Sequence, residues 1–115
     1  MAVTARRARE IALSLEGVTE APHFDRLAFR TPRRIFATLA RSGGDMNFMF
    51  DHALQEHFCA RSPAALSPVP GGWGRMGATR CDLKQVDLAT FKAALKAAHA
   101  RASAPRARAA KRAKR

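Results

Sequence analysis

Histidine, cysteine, carboxylate and arginine are the side chains here with the chemistry to act on a partner. The histidines are His23, His52, His57 and His99. His52 and His57 are five apart, which puts them on different faces of a helix and spoils a metal pair. His23 and Asp25 are two apart and would share a strand face, so a metal or base role stays open for that pair alone. Cys59 and Cys81 have no CxxC neighbour. They make neither a disulfide framework nor a zinc site and read as buried or half-buried thiols. No serine sits in a GxSxG elbow, and no close pair of carboxylates lies on one element. The sequence therefore predicts no catalytic residue, metal or cofactor.

The run Gly71-Gly72-Trp73-Gly74-Arg75-Met76-Gly77 is rich in glycine, but no Lys-Ser/Thr follows it and it opens no helical pattern. It is not a phosphate-binding P-loop. Trp73, the single tryptophan, reads as core or as a stacking surface, and Arg75 beside it as a phosphate contact or a solvated charge.

Arginine is what the chain has in excess. Lys plus Arg is 21 against 9 Asp plus Glu, a formal charge of +12 in 115 residues. Seven of those bases, Arg101, Arg106, Arg108, Lys111, Arg112, Lys114 and Arg115, fall in the last fifteen residues, which hold no acid. Such a block repels itself and stays unfolded alone. Its natural partner is a polyanion, because each phosphate neutralised releases counterions. Without large apolar residues it is a poor interfacial helix, so a membrane surface fits less well. Leu, Ile, Val and Phe all lie before residue 96. The expected organisation is one domain over 1–100 and a basic tail over 101–115. No apolar run approaches the ~18 residues of a membrane span. No apolar stretch follows Arg6, Arg7 and Arg9, so a secretory signal is not expected and a cytoplasmic address follows.

These residues need elements to position them. Ala8, Ile11, Ala12 and Leu15 have the spacing of one helical stripe, with Thr4 as cap and Gly17 as stop, predicting a helix over 4–16. Ala21 to Phe24 reads as a turn into extended chain. Residues 26–30, 34–40 and 46–50 alternate with period two and predict three strands joined by short turns. A short helix is expected over 52–60, an irregular proline-bearing stretch over 61–72, strands over 73–76 and 78–84, and a last helix over 88–100 capped by Asp87. The predicted fold class is α+β and two-layered. A five-stranded antiparallel sheet would carry its helices on one face, in the order α-β-β-β-α-β-β-α.

With each strand's more apolar side turned to the helices, the other side is open to water or a partner. It would carry Arg26, Ala28, Arg30, Arg34, Phe36, Thr38, Asn47, Met49, Arg80, Asp82 and Lys84. Arginine with an interleaved aromatic suits phosphate tracking and base stacking. The alternative is an ordinary solvated sheet face. A one-residue slip of register would turn it inside out.

The runs Ala12 to Phe24, Ala28-Phe29-Arg30, Arg34 to Leu39, Ser67 to Gly74 and Thr79 to Leu83 together resemble the MmcQ/YjbR family over roughly residues 8–98. The resemblance implies a CyaY-like (frataxin-like) α+β domain and a DNA-binding role, and it offers no catalytic residues. Iron, which a frataxin-like shape could suggest, would need an acidic ridge that so basic a chain lacks.

The expected function is therefore that of a small basic DNA-binding protein, contacting the phosphate backbone with little sequence selectivity. Arg26, Arg30, Arg34, Arg75, Arg80 and Lys84 would position the nucleic acid, with Phe36 and Trp73 as stacking candidates. Arg106, Arg108, Lys111, Arg112, Lys114 and Arg115 would add non-specific affinity. The alternative is a non-enzymatic adaptor or chaperone-like protein that binds a polypeptide on the open sheet face.

Overall fold

The computed structural model describes residues 3–104. The tail bases Arg106, Arg108, Lys111, Arg112, Lys114 and Arg115 lie outside the described residues. The fold is α+β, a six-stranded open antiparallel sheet packed against helices. The elements run α1 (Ala5–Ser14), β1 (Thr19–His23), β2 (Arg26–Arg30), β3 (Ile35–Ala40), β4 (Asp45–Phe48), α2 (His52–Arg61), β5 (Leu66–Pro68), α3 (Gly72–Arg75), β6 (Thr79–Asp82) and α4 (Leu88–Ser103). Across the sheet the strands lie β1-β2-β3-β4-β6-β5.

Helix starts follow the expected chemistry. Thr4, Asp51 and Asp87 cap α1, α2 and α4 by accepting from the backbone N–H of Arg7, Leu54 and Thr90. α1 buries Ala8 and Ala12, and α4 buries Phe91, Ala94, Leu95 and Ala98. α4 runs to Ser103, three residues beyond its predicted end, because Ala102 is also buried. The core is aromatic. Phe48 lies against Phe91 of α4 and stacks with Phe50, which stacks in turn on Phe58 of α2. No helix among the described residues is long and apolar enough to cross a membrane.

Three expectations about elements are corrected. Ala21 to Phe24, read as a turn, instead belongs mostly to Thr19–His23, a sixth strand at the sheet edge, with Thr19 opposite Arg30 and His23 opposite Arg26. Its sequence hides it because an edge strand needs no apolar alternation, and Pro22 is tolerated where one ladder is missing. It is fastened by Arg9 of α1, whose Nε and Nη2 donate to Glu20 at 2.6 and 2.8 Å. Leu66–Pro68, placed in an irregular stretch, forms the short strand β5, with Leu66 buried opposite Cys81. Trp73 to Met76, read as a strand, falls instead on the one-turn helix α3, Gly72–Arg75, and its C-cap Met76.

A fourth correction bears on the site. Period-two alternation puts Phe36 on the open side and Ile35 inside, and the structure reverses them. The register between β2 and β3 shifts at Phe29/Arg30: Phe29 stands opposite Ala37, but Arg30 stands opposite Ile35. Phe36 is the extra residue, and a bulge re-aims its side chain. It is fully buried, edge-on to His99 of α4, while Ile35 is only half-buried.

Candidate nucleic-acid interface

Cross-strand partners share a face. The register therefore groups Arg26, Ala28, Thr38, Asn47, Arg80 and Asp82 on one side of the sheet, as the sequence predicts, together with Asp45. Asp45 changes what that side can do. Arg26 Nη2 donates to Asp45 Oδ1 at 2.7 Å, and Arg80 Nε lies 3.3 Å from Asp45 Oδ2. Arg26 also donates through Nε to Thr38 Oγ1 at 2.8 Å and through Nη2 to the Thr38 carbonyl at 3.0 Å. The side chains of Arg26 and Asp45 are each only 21% exposed. One carboxylate thus clamps two of the arginines expected to meet phosphate, and Arg26 lies across the face it was expected to project from.

The other basic residues do not join them. Lys84 follows β6 just beyond Asp82, whose Oδ1 accepts from the Lys84 backbone N–H at 3.0 Å. Arg75 is on α3. Arg30 and Arg34 stand at the opposite end of the sheet from Asp45, where β2 ends, β3 begins and α4 finishes. Several bonds tie that end together. Thr31 Oγ1 donates to the Ala102 carbonyl at 3.3 Å, Arg34 Nη2 to the Ala104 carbonyl at 3.1 Å, and Arg101 Nη1 to the Met49 carbonyl at 3.2 Å. Arg33, in the turn before Arg34, is exposed. Among the described residues, Arg30, Arg33, Arg75 and Lys84 enter no ion pair.

Beside this end lies a groove of about 240 Å³ lined by Met49, Phe50, Trp73, Met76, Ala78 and Arg101. Trp73 is 61% exposed and Met76 75%, so the tryptophan is not core. Phe36, the other stacking candidate, is fully enclosed and presents no ring surface. The glycines explain why Trp73 stands out. A Cβ on Gly74 would sit 1.6 Å from the Val69 carbonyl oxygen, and one on Gly77 (φ +121°) would sit 2.2 Å from the Phe50 carbonyl oxygen. They bring α3 against two backbones rather than cradle a phosphate. From α2, Gln55 Nε2 donates to the carbonyls of Gly74 and Ala78, and His52 Nε2 donates to that of Arg75. The α3 turn is so tightly held through its main chain that Trp73 and Met76 are left on the outside.

Sequence reasoning misses three contributors. It counts Arg101 with the tail, Arg33 with a turn, and Met76 with a strand. The spacing of Gly74 and Gly77 around Trp73 and Met76 is the available signal for close backbone approach.

The cysteines offer no reactive thiol. Cys81 is buried and its pKa is pushed up to about 12, chiefly by burial and then by Asp82. Burial also raises that of Cys59. No group of three or more His, Cys, Asp or Glu among the described residues could hold a metal ion. Compared with known proteins, the chain matches no family model, no curated sequence and no solved structure.

Proposed function

We propose that this chain is a small DNA-binding protein that grips the phosphate backbone with little sequence selectivity. One observation carries the reading. Arg30, Arg33, Arg34 and Arg101 gather at the end of the sheet where α4 closes, and the following residues, 105–115, add six bases and no acid. Positive charge is thus concentrated at that end and in the sequence that follows it, which suits a polyanion. The likeness of its residues to the MmcQ/YjbR family, with a CyaY-like fold and a DNA-binding description, supports the same reading. So do the lack of a base-reading recognition helix in the sequence and of any catalytic constellation. The proposed setting is the cytoplasm, on the nucleoid, with binding rather than catalysis as the role and no cofactor.

The test is a salt titration of DNA affinity with the full chain. Affinity should fall by about 10³-fold or more between about 50 and 200 mM salt if six or more phosphates are neutralised. Replacing the six bases of residues 105–115 with Gln should flatten that dependence to the few phosphates met by Arg30, Arg33, Arg34 and Arg101. A second reading, a polypeptide-binding adaptor, is favoured by the Arg26–Asp45–Arg80 clamp, which leaves the sheet side less charged than its composition suggests. Failure of the full chain to bind DNA at low salt selects it.

A further inference from the structure

We infer that the groove beside α4 takes an unstacked nucleobase, so that the preferred ligand of this chain is a single strand rather than a duplex. The inference rests on the phosphate-binding reading above and adds the part of the nucleotide that a phosphate grip ignores. Three observations meet at the groove. Its walls are flat or polarisable apolar groups, Trp73, Met49, Met76 and Phe50, and two of them are largely exposed. Its one charged lining residue is a guanidinium, Arg101, anchored on the Met49 carbonyl. One helical turn further along α4, about 5 Å, Arg34 bonds the Ala104 carbonyl, and the basic run begins at the next residue but one.

Charge and size choose among occupants. At about 240 Å³ the groove is smaller than the ~300 Å³ lower end of ordinary ligand pockets, so it suits one ring system. Residues 105–115 contain only Pro, Arg, Ala and Lys, so they bring no aromatic ring to match these walls. An apolar peptide would match the walls but gain nothing from the arginines around them. A single-stranded nucleic acid supplies both features, a π-face on every base and a phosphate between each pair. A duplex keeps its bases stacked inside and offers only the phosphates.

Trp73 is the only tryptophan and the chain has no tyrosine, so its fluorescence reports on the groove alone. The full chain would be titrated with single-stranded oligothymidylate, with a duplex of equal length, and with inorganic polyphosphate. The expected result is quenching by oligothymidylate and little change with the other two, although all three bind at low salt. Trp73→Ala should weaken oligothymidylate binding about tenfold or more and leave polyphosphate binding unchanged. The exposed indole is not core, and the wild-type quenching needs no variant. If all three bind without quenching and Trp73→Ala changes nothing, the groove assignment is overturned while the phosphate reading stands. Equal quenching by the duplex overturns the preference for a single strand. If none of the three binds at low salt, the phosphate reading falls and this inference falls with it.

Discussion

Where β4 begins, Asp45 stands between Arg26 and Arg80, and all three side chains are drawn onto the sheet. Where β4 ends, Arg30 and Arg33 reach no carboxylate among the described residues, and Arg101 holds the Met49 carbonyl. Arg101 has Asp51 3.8 Å away, a loose approach beside the short bonds at Asp45. Both regions look alike in a charge count. They differ because a guanidinium on a neutral carbonyl keeps its full charge, whereas a carboxylate between two of them cancels one unit locally. Position relative to acids, rather than the number of arginines, decides which end offers charge to a ligand.

Several changes would break or sharpen that contrast. The largest effect is expected from Phe36→Ala, which removes the enclosed ring beneath the end of α4 and should cost about 3–5 kcal/mol in denaturant unfolding. It should loosen the α4 end and leave the Asp45 clamp in place. Ile35→Ala, half-buried, should cost clearly less, and equal costs would contradict the bulge. Gly74→Ala comes next. It drives a methyl into the Val69 carbonyl and should cost up to about 3 kcal/mol, with a shift in Trp73 emission as α3 moves.

Smaller still is Arg26→Gln. It weakens the clamp and exposes part of the Asp45 charge to a less complementary site, for about 1–2 kcal/mol of unfolding free energy. It should leave the salt slope of DNA binding as it was. Arg30→Gln with Arg33→Gln should do the reverse, lowering the slope by about one for each phosphate no longer neutralised, with unfolding unchanged. Asp45→Asn should remove the negative charge between Arg26 and Arg80, with Arg26 still held on Thr38, and steepen the slope. Identical slopes for the clamp and α4-end variants would erase the distinction between the two regions.

The gentlest effect is pH. The Arg9 hydrogen bond holds the Glu20 carboxyl below its ordinary range, and the Thr90 backbone N–H does the same for Asp87. The stability these bonds give is complete above the unfolded carboxylate range, about pH 4, and is lost as pH falls through the lower folded values. Cys81 acts at the other end. Its thiol is raised to about 12 in the fold, so stability falls as pH climbs from about 9, where the unfolded thiol ionises, towards 12. A melting-temperature scan should show a plateau between these arms, and Cys81→Val should remove its share of the alkaline arm.

Much of this architecture is legible in the residues. Period-two alternation over 26–30 and 34–40, caps at Thr4 and Asp87, and the α1 stripe of Ala8, Ile11 and Ala12 are local signals, and the corresponding elements are present. The candidate site is less legible. Alternation places Arg26 and Arg80 on the correct side but without their partner, since Asp45 falls in what reads as a turn. Trp73 stands in a glycine-rich run whose close packing against Val69 and Phe50 depends on chain brought in from elsewhere.

The sequence by itself determined the uneven charge, the helix starts and the main antiparallel strands, because each depends on neighbours within a few positions. Only the tertiary structure decided that Phe36 turns inward, that Asp45 neutralises part of the sheet, and that Trp73 and Arg101 line one groove. Those outcomes depend on a one-residue bulge and on packing between segments dozens of residues apart. Neither leaves a periodic trace in the chain.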